Sequence, residues 1–190
     1  MSSTALSDWA LGLASDLLEK ELPTRWQHVQ ASVAKARRFA PAVPGDEEML
    51  IAAVALHDAG FASVANKSGF STLDAAWYIR DAGAPARLVD LVAHQAVGSV
   101  EAELRGLSEH YGEFGPDEAS PVRDAMWTCC VTSTPDGGDC TVRERCEGWR
   151  VRYPFGWLQE YFDRCQPELE AAERRTLDRM TSNQRNTHVG

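Results

Sequence analysis

The dipeptide His57-Asp58 is the most chemically informative feature of this 190-residue chain. It follows an apolar run at residues 51–56, and a second histidine, His28, lies upstream. An imidazole and a carboxylate at one helix end, with another imidazole on a neighbouring helix, can close around one divalent metal ion. Neutral imidazole and carboxylate are common protein ligands of zinc, manganese, iron, nickel and cobalt. The pattern therefore indicates a site for one divalent transition metal.

Helical periodicity predicts the elements that position these side chains. One helix, with Thr24 as its N-cap, runs to Phe39 and carries His28. Another begins after Asp46, has an acidic first turn that suits the helix dipole, delivers His57-Asp58 and stops at Gly60. The other predicted helices are an amphipathic one that ends before Pro23, one over 72–80, one starting at Pro85, and others over 100–107, 122–131 and 157–180, the last with a kink at Pro167.

The fold class that follows is all-α. No strand pattern and no repeat interrupts the helical segments, and the connections between them are short. We expect a single compact helical domain over residues 1–180, with a long C-terminal helix. The polar segment 181–190 is predicted to be a disordered tail.

Composition excludes several classes of function. The net charge of −9 argues against general nucleic-acid binding and against attachment to an anionic membrane. No apolar run approaches the roughly 20 residues of a membrane span, and the N-terminus lacks the features of a signal peptide. We therefore expect a cytoplasmic protein, and the five cysteines are predicted to be reduced thiols.

Five segments in order along the chain resemble the HD-domain superfamily of metal-dependent phosphohydrolases, and within it a bacterial branch of small stand-alone proteins. The resemblance covers most of the chain, from about Arg25 to Arg179. It implies an HD-type helical bundle and a metal-dependent phosphohydrolase-like activity on a small phosphorylated metabolite such as a nucleotide. The segments that carry it are Arg25-Trp-Gln-His28-Val, Ala55-Leu-His57-Asp58-Ala-Gly-Phe61, Gly69-Phe-Ser-Thr-Leu-Asp74-Ala, Leu91-Val-Ala-His94-Gln95 and the run from Ala125 through Cys130 to Gly137.

Position by position, the resemblance assigns His28, His57 and Asp58 as the first three metal ligands. The fourth ligand, an aspartate in the family, matches Cys130 here. A thiolate is a softer ligand and favours zinc or other late transition metals over magnesium. Three alternatives stay open: all four residues bind a metal, Cys130 stays out and three ligands leave an open position, or no metal binds.

Two further positions depart from the family. The branch tends to carry a histidine where this chain has Ser71, and another where it has Gln95 after His94. Those histidines would support a second metal or bind a substrate phosphate. Their absence argues against a two-metal mechanism and against di-iron oxygenase chemistry. Ser71, His94 and Gln95 stay candidates for substrate contact.

The remaining candidates concern phosphate and base recognition. Arg25 resembles the family position that can hold a substrate phosphate, with a surface ion pair as the alternative. Lys67 is a candidate to neutralise phosphate or an exposed loop lysine, and Asp58 is a candidate proton acceptor for an attacking water. Trp26 and Trp127 are candidates to line the pocket, with core packing as the main alternative.

Two other hypotheses accompany phosphohydrolase activity. The altered positions Ser71, Gln95 and Cys130 suggest a catalytically degenerate relative with a ligand-binding or regulatory role. A non-hydrolytic reaction in the same pocket, catalysed by a lyase or isomerase, is a third. HD domains are often dimers, and the long C-terminal helix offers a surface for a homodimer.

Overall fold

A computed structural model describes residues 5–134, 136, 138–154 and 156–187, and it confirms the all-α class. Short 3-10 turns lie between several helices, at Ala40–Ala42, Ala59–Phe61, Gln95–Val97 and Ser108–Glu113. In the described ranges the extended pairing consists of one antiparallel bridge between Ser133 and Asp139. The α-helices are Leu6–Leu18 (α1), Pro23–Phe39 (α2), Glu47–Leu56 (α3), Ser71–Asp81 (α4), Ala86–Ala93 (α5), Gly98–Leu104 (α6), Pro121–Val131 (α7), Val142–Arg152 (α8) and Trp157–Thr187 (α9).

Helix α3 is the centre of the main hydrophobic core. Every residue from Leu50 to Leu56 is buried, because this helix is apolar on all sides and needs neighbours all round. Helices α1, α2, α5 and α7 pack against it. The packing places the C-terminal end of α3, where His57 lies, inside the protein and beside α2.

A second hydrophobic cluster joins α7, α8 and α9. Trp127 of α7 packs there with Val142 and Cys146 of α8 and with Phe162 and Leu169 of α9. The helix α9 is the long C-terminal helix that the sequence predicts, and it continues through Pro167 to Thr187, beyond the predicted end at Met180. The predicted tail therefore overlaps the helix at residues 181–187, and residues 188–190 lie outside the described part.

Helix α8 was not predicted from the sequence. It is short of apolar residues, and of its side chains only Val142 and Cys146 are buried. A capping box holds its start, since the Thr141 hydroxyl accepts a hydrogen bond from the Glu144 N–H while the Glu144 carboxylate accepts one from the Thr141 N–H. The pattern Thr-x-x-Glu was thus the sequence signal for this helix.

Of the two predicted helix N-caps, the one at Thr24 is wrong and the one at Asp46 is correct in position. The helix α2 begins at Pro23, and Leu22 is its N-cap, so Thr24 is already inside the first turn. Proline suits the first helical position because the missing N–H has no partner there in any case. Asp46 is the N-cap of α3, as predicted, but its side chain makes no capping bond and pairs with Arg87 instead.

No helix in the described part of the chain combines the length and the apolar character that crossing a bilayer requires.

A buried carboxylate fastens α9 to α7. Asp124 accepts hydrogen bonds from Arg175 and Arg179 of α9 and from its neighbour Arg123. Burial by itself would raise the pKa of Asp124, but the three guanidinium groups outweigh burial and hold the pKa below its usual range. The carboxylate is therefore ionised at neutral pH and bridges the two helices.

Replacing Asp124 by Asn should lower the free energy of unfolding by about 3 kcal/mol at pH 7, because three guanidinium groups lose their common partner. A lowered carboxyl pKa stabilises the fold above the unfolded-state pKa of about 3.9, so the difference from wild type should shrink below about pH 4. Chemical denaturation at several pH values measures this difference in the free energy of unfolding. Asp163→Asn, at a 71% exposed ion-pair partner of Arg150, is the control and should change little. An equally small effect at Asp124 would contradict this account.

Candidate metal centre

The end of α3 turns sharply so that two adjacent polar side chains face the interior. His57 is the helix C-cap, and Asp58 leads into the 3-10 turn Ala59–Phe61. Gly60 lets this turn lie against the start of α4: a Cβ atom at Gly60 would lie 1.9 Å from the Ser71 carbonyl oxygen and 2.6 Å from the Ala75 nitrogen. Only a residue without a side chain permits this approach of backbone to backbone.

His28, from the middle of α2, completes a group of three buried ligands. One ligand atom from each of His28, His57 and Asp58 lies within 4.8 Å of the others. The two Nε2 atoms of the histidines are 3.2 Å apart, and the Nε2 atom of His57 is 3.5 Å from Oδ1 of Asp58. The sequence pattern predicted that these three residues meet, and the structure brings them together.

Backbone carbonyls set the orientation of both imidazole rings. Nδ1 of His57 lies 2.7 Å from the Val54 carbonyl oxygen, and Nδ1 of His28 lies 3.3 Å from the Thr134 carbonyl oxygen. A carbonyl can only accept, so in the form that binds a metal each ring would carry its proton on Nδ1. Both Nε2 lone pairs then point toward each other. Metal-binding histidines commonly use this arrangement, with an outer carbonyl fixing the tautomer.

The distances suit one bound ion. Two nitrogen ligands, each about 2.0–2.1 Å from zinc, lie about 2.8–3.4 Å apart for bond angles between octahedral and tetrahedral. The observed 3.2 Å between the Nε2 atoms of His28 and His57 falls inside that range. A cation between two facing lone pairs also removes their mutual repulsion. The donor set of two imidazoles and one carboxylate thus fits a divalent transition metal.

Burial and neighbouring charges keep His28 and Asp58 in the protonation states that can bind a metal. Burial, aided by the neighbouring His57, lowers the pKa of His28 to about 4, although Asp58 opposes the shift. Burial would raise the pKa of Asp58, but His57, Arg25 and His28 together lower it. At neutral pH His28 is therefore neutral and Asp58 is ionised, so neither must release a proton to bind a metal.

Arg25 lies one turn before His28 and pairs with Asp58. Its Nη1 donates a hydrogen bond to Oδ2 of Asp58 at 2.9 Å, and its guanidinium carbon lies 3.3 Å from the centre of the Phe61 ring. The ion pair considered as the alternative for Arg25 exists, but its carboxylate is buried and belongs to the candidate metal centre. Arg25 is thus held at the site by both contacts.

Cys130 lies close to this group but is not one of its three members. Its thiol is buried, and burial, together with Cys129 and Asp58, raises the pKa well above the usual range. Its neighbour Cys129 is buried as well. The described residues bring three candidate ligands together, and the role of Cys130 as a fourth stays a prediction.

The other candidates make contacts of their own. His94 is buried and its Nε2 lies 2.8 Å from the Gly115 carbonyl oxygen. Gln95 and Ser71 are half-buried, and Lys67 is exposed in the loop before α4. None of these four belongs to the group that could hold a metal within the described residues, and contact with a substrate stays a prediction for each.

The two tryptophans pack against apolar side chains. Trp26 is half-buried and lies against the main core. Trp127 is 1% exposed, belongs to the second cluster, and has the Arg123 guanidinium carbon 4.2 Å from its ring centre. These are the contacts of core packing, and stacking on a planar ligand stays a prediction for both residues.

Sequence reasoning missed a buried lysine that positions a segment behind the site. Lys35 of α2 is buried and donates to the Thr132 carbonyl oxygen at 2.6 Å, and its amine lies 2.8 Å from Oδ1 of Asp139. Lys35 thereby fixes the chain segment whose Thr134 carbonyl faces His28. No sequence pattern marked Lys35.

Comparisons with protein-family models, with curated proteins and with solved structures found no match to this chain.

Because the backbone of another segment lies so close to Gly60, we expect a methyl group added there to destabilise the fold strongly. Gly60→Ala should lower the free energy of unfolding by about 3 kcal/mol, because the added Cβ meets backbone atoms that cannot move aside cheaply. The matched control is Gly12→Ala in α1, where a Cβ atom meets nothing within 4 Å. That variant should gain about 0.5–1 kcal/mol from helix propensity. Urea denaturation of both variants checks the pair, and equal stabilities would show that the turn at Gly60 is loosely packed.

Thiol accessibility gives a further expected outcome. All five cysteines are free, and Cys140 is the one that is not buried. A thiol-specific reagent should therefore modify Cys140 first in the native protein, while Cys130 reacts only on unfolding, because burial keeps it protonated and out of reach. Mass spectrometry after timed labelling identifies the site, with Cys140→Ser as the control. Rapid labelling of Cys130 in that variant would contradict the buried position.

Proposed function

We propose that this protein is a metal-dependent phosphohydrolase-like enzyme of the HD type that acts on a small phosphorylated metabolite, such as a nucleotide. One observation carries the proposal: ligand atoms of His28, His57 and Asp58 converge within 4.8 Å in a buried site. The carbonyls of Val54 and Thr134 support both imidazoles from behind. The resemblance of the sequence segments to HD phosphohydrolases points to the same three residues.

His28 and His57, through Nε2, and Asp58, through Oδ1, would hold the metal. When bound, a zinc, manganese, iron, nickel or cobalt ion lowers the pKa of water and polarises a phosphoryl oxygen. Three protein ligands leave coordination positions free, as catalytic sites require and structural zinc sites do not. Ser71 and Gln95 offer no imidazole, so the proposal involves one metal ion.

Arg25 and Asp58 have distinct tasks in this proposal. Only one donor of the Arg25 guanidinium, Nη1, is bonded to Asp58, so other N–H groups can bind phosphate oxygens. Asp58 uses Oδ2 to accept from Arg25 and keeps Oδ1 on the side of the histidines. Its lowered pKa suits an anionic ligand better than the proton acceptor that the sequence analysis considered.

A binding role without turnover is the second candidate. The observation that favours it is that Arg25 is already paired with Asp58 and stacked on Phe61, so phosphate would have to compete for it. Ligand-induced thermal stabilisation without turnover would favour this candidate. It shares the metal-binding residues with the first one.

The decisive experiment measures metal content and turnover on the same preparation. Protein purified without a metal-affinity tag should carry about one equivalent of a transition metal per chain by elemental mass spectrometry. His57→Gln and His28→Gln should lose it, since each removes one of three ligands. His110→Gln is the control, because His110 lies outside the site and contacts Trp77 and Glu113.

Turnover separates the two candidates. The metal-loaded protein should hydrolyse at least one member of a phosphate-ester panel, and His57→Gln should abolish that activity while circular dichroism shows an unchanged fold. Metal binding without turnover would favour the binding role. A folded protein that refuses every added metal would overturn the hydrolase proposal and leave the binding role.

A further inference from the structure

Lys35 is a buried cation on the same face of α2 as His28. The two residues are seven positions apart, which is two turns of a helix, and both side chains are buried. The side chain of Lys35 is only 5% exposed. A lysine is rarely buried this far unless its charge is paired. Its ammonium group therefore needs strong partners inside the protein.

The ammonium group has three acceptors, one for each of its three N–H donors. Nζ of Lys35 lies 2.6 Å from the Thr132 carbonyl oxygen, 2.8 Å from the Thr132 hydroxyl and 2.8 Å from Oδ1 of Asp139. The hydrogen bond from Lys35 also lowers the pKa of Asp139, which keeps that carboxylate ionised at neutral pH. Lys35 thus joins α2 to two points of the chain that follows α7.

These two points lie on either side of Thr134. Thr132 is the C-cap of α7, and its carbonyl accepts a second hydrogen bond from the Cys140 N–H at 2.9 Å. Ser133 and Asp139 form the antiparallel bridge beside it. The backbone on both sides of Thr134 is therefore held together, and Lys35 attaches both sides to α2.

The two histidines of the candidate metal centre differ in how their outer carbonyl is held. The Val54 carbonyl belongs to α3 itself, three residues before His57, so the helix keeps it in place. The Thr134 carbonyl that contacts Nδ1 of His28 lies 106 positions away in sequence. Nothing within α2 fixes it, so the position of this carbonyl depends on the contacts that Lys35 makes.

We propose that Lys35 is a positioning residue for the candidate metal centre: it holds the Thr134 carbonyl against the His28 ring and thereby sets the direction in which Nε2 of His28 points. The effect on metal affinity rests on the proposed function, whereas the effect on the ring does not. In a metal-bound form the carbonyl would accept the Nδ1 proton, and loss of such outer partners typically weakens metal binding about 10–100-fold.

Zinc affinity, measured by competition with a chromophoric chelator, tests the proposal. Lys35→Met keeps an apolar side chain of similar length but removes the three donors, and it should weaken zinc binding about tenfold. Arg38→Met is the matched control, because Arg38 is 62% exposed on the same helix and lies 3.5 Å from the same Asp139. It should leave the affinity within about twofold of wild type.

A second control separates position from stability. Asp124→Asn destabilises the fold away from the site, so it should leave zinc affinity unchanged. An equal loss of affinity in Asp124→Asn, or unchanged affinity in Lys35→Met, would overturn the proposal. If Lys35→Met does not fold, Asp139→Asn takes its place, since that side chain is 66% exposed, and should weaken zinc binding about threefold or more.

The nitrogen NMR signals of the His28 ring in the metal-free protein give a readout that needs no metal. They are assigned with His28→Gln and should shift in Lys35→Met, or in Asp139→Asn if Lys35→Met does not fold, and stay in place in Arg38→Met. Unchanged His28 signals would overturn the positioning role. If the signals shift while the wild type refuses zinc, the positioning role stands and the proposed hydrolase function fails.

Discussion

Helix α3 has no exposed face between Leu50 and Leu56, and the need to cover it on every side organises the molecule. A helix buried all round must be surrounded, so α1, α2, α5 and α7 have fixed places around it. The same constraint decides where polar residues can meet. His57 ends the buried helix and therefore lies in the interior, and α2, packed alongside, presents His28 to it. The candidate metal centre is thus a product of core packing as much as of its own side chains.

Most of the buried charged side chains in this structure form ion pairs or hydrogen bonds with other protein groups. Asp124 is neutralised by arginines from two helices, Lys35 is bonded to Thr132 and Asp139, and Asp58 is paired with Arg25. Each pairing joins segments that are far apart in the chain, so the buried ions tie helices together. Against this background the two facing Nε2 atoms of His28 and His57, 3.2 Å apart, stand out as buried polar atoms turned toward each other. Together with Asp58 they form the group that could hold a metal ion.

The sequence predicted the central helix and the three candidate ligands because their signal is local: an apolar run, a polar end and a histidine on an amphipathic helix. It missed α8 because a helix that buries only Val142 and Cys146 has almost no hydrophobic periodicity, and its capping box was the one remaining sign. The pairing of Arg25 with Asp58 spans 33 positions in sequence and depends on packing that no local pattern encodes. The same holds for Lys35, whose partners lie 97 positions away.

The segment that begins at Thr132 is anchored at both ends within a few residues. Lys35 donates a hydrogen bond to the Thr132 carbonyl and pairs with Asp139. The Thr134 carbonyl contacts His28. The capping box at Thr141 then starts α8. Its length is therefore set by three separate attachments. An inserted or deleted residue would shift the Thr134 carbonyl that contacts His28 relative to the first turn of α8. This short connection therefore has a fixed length, and the chain can tolerate insertions and deletions only in other loops.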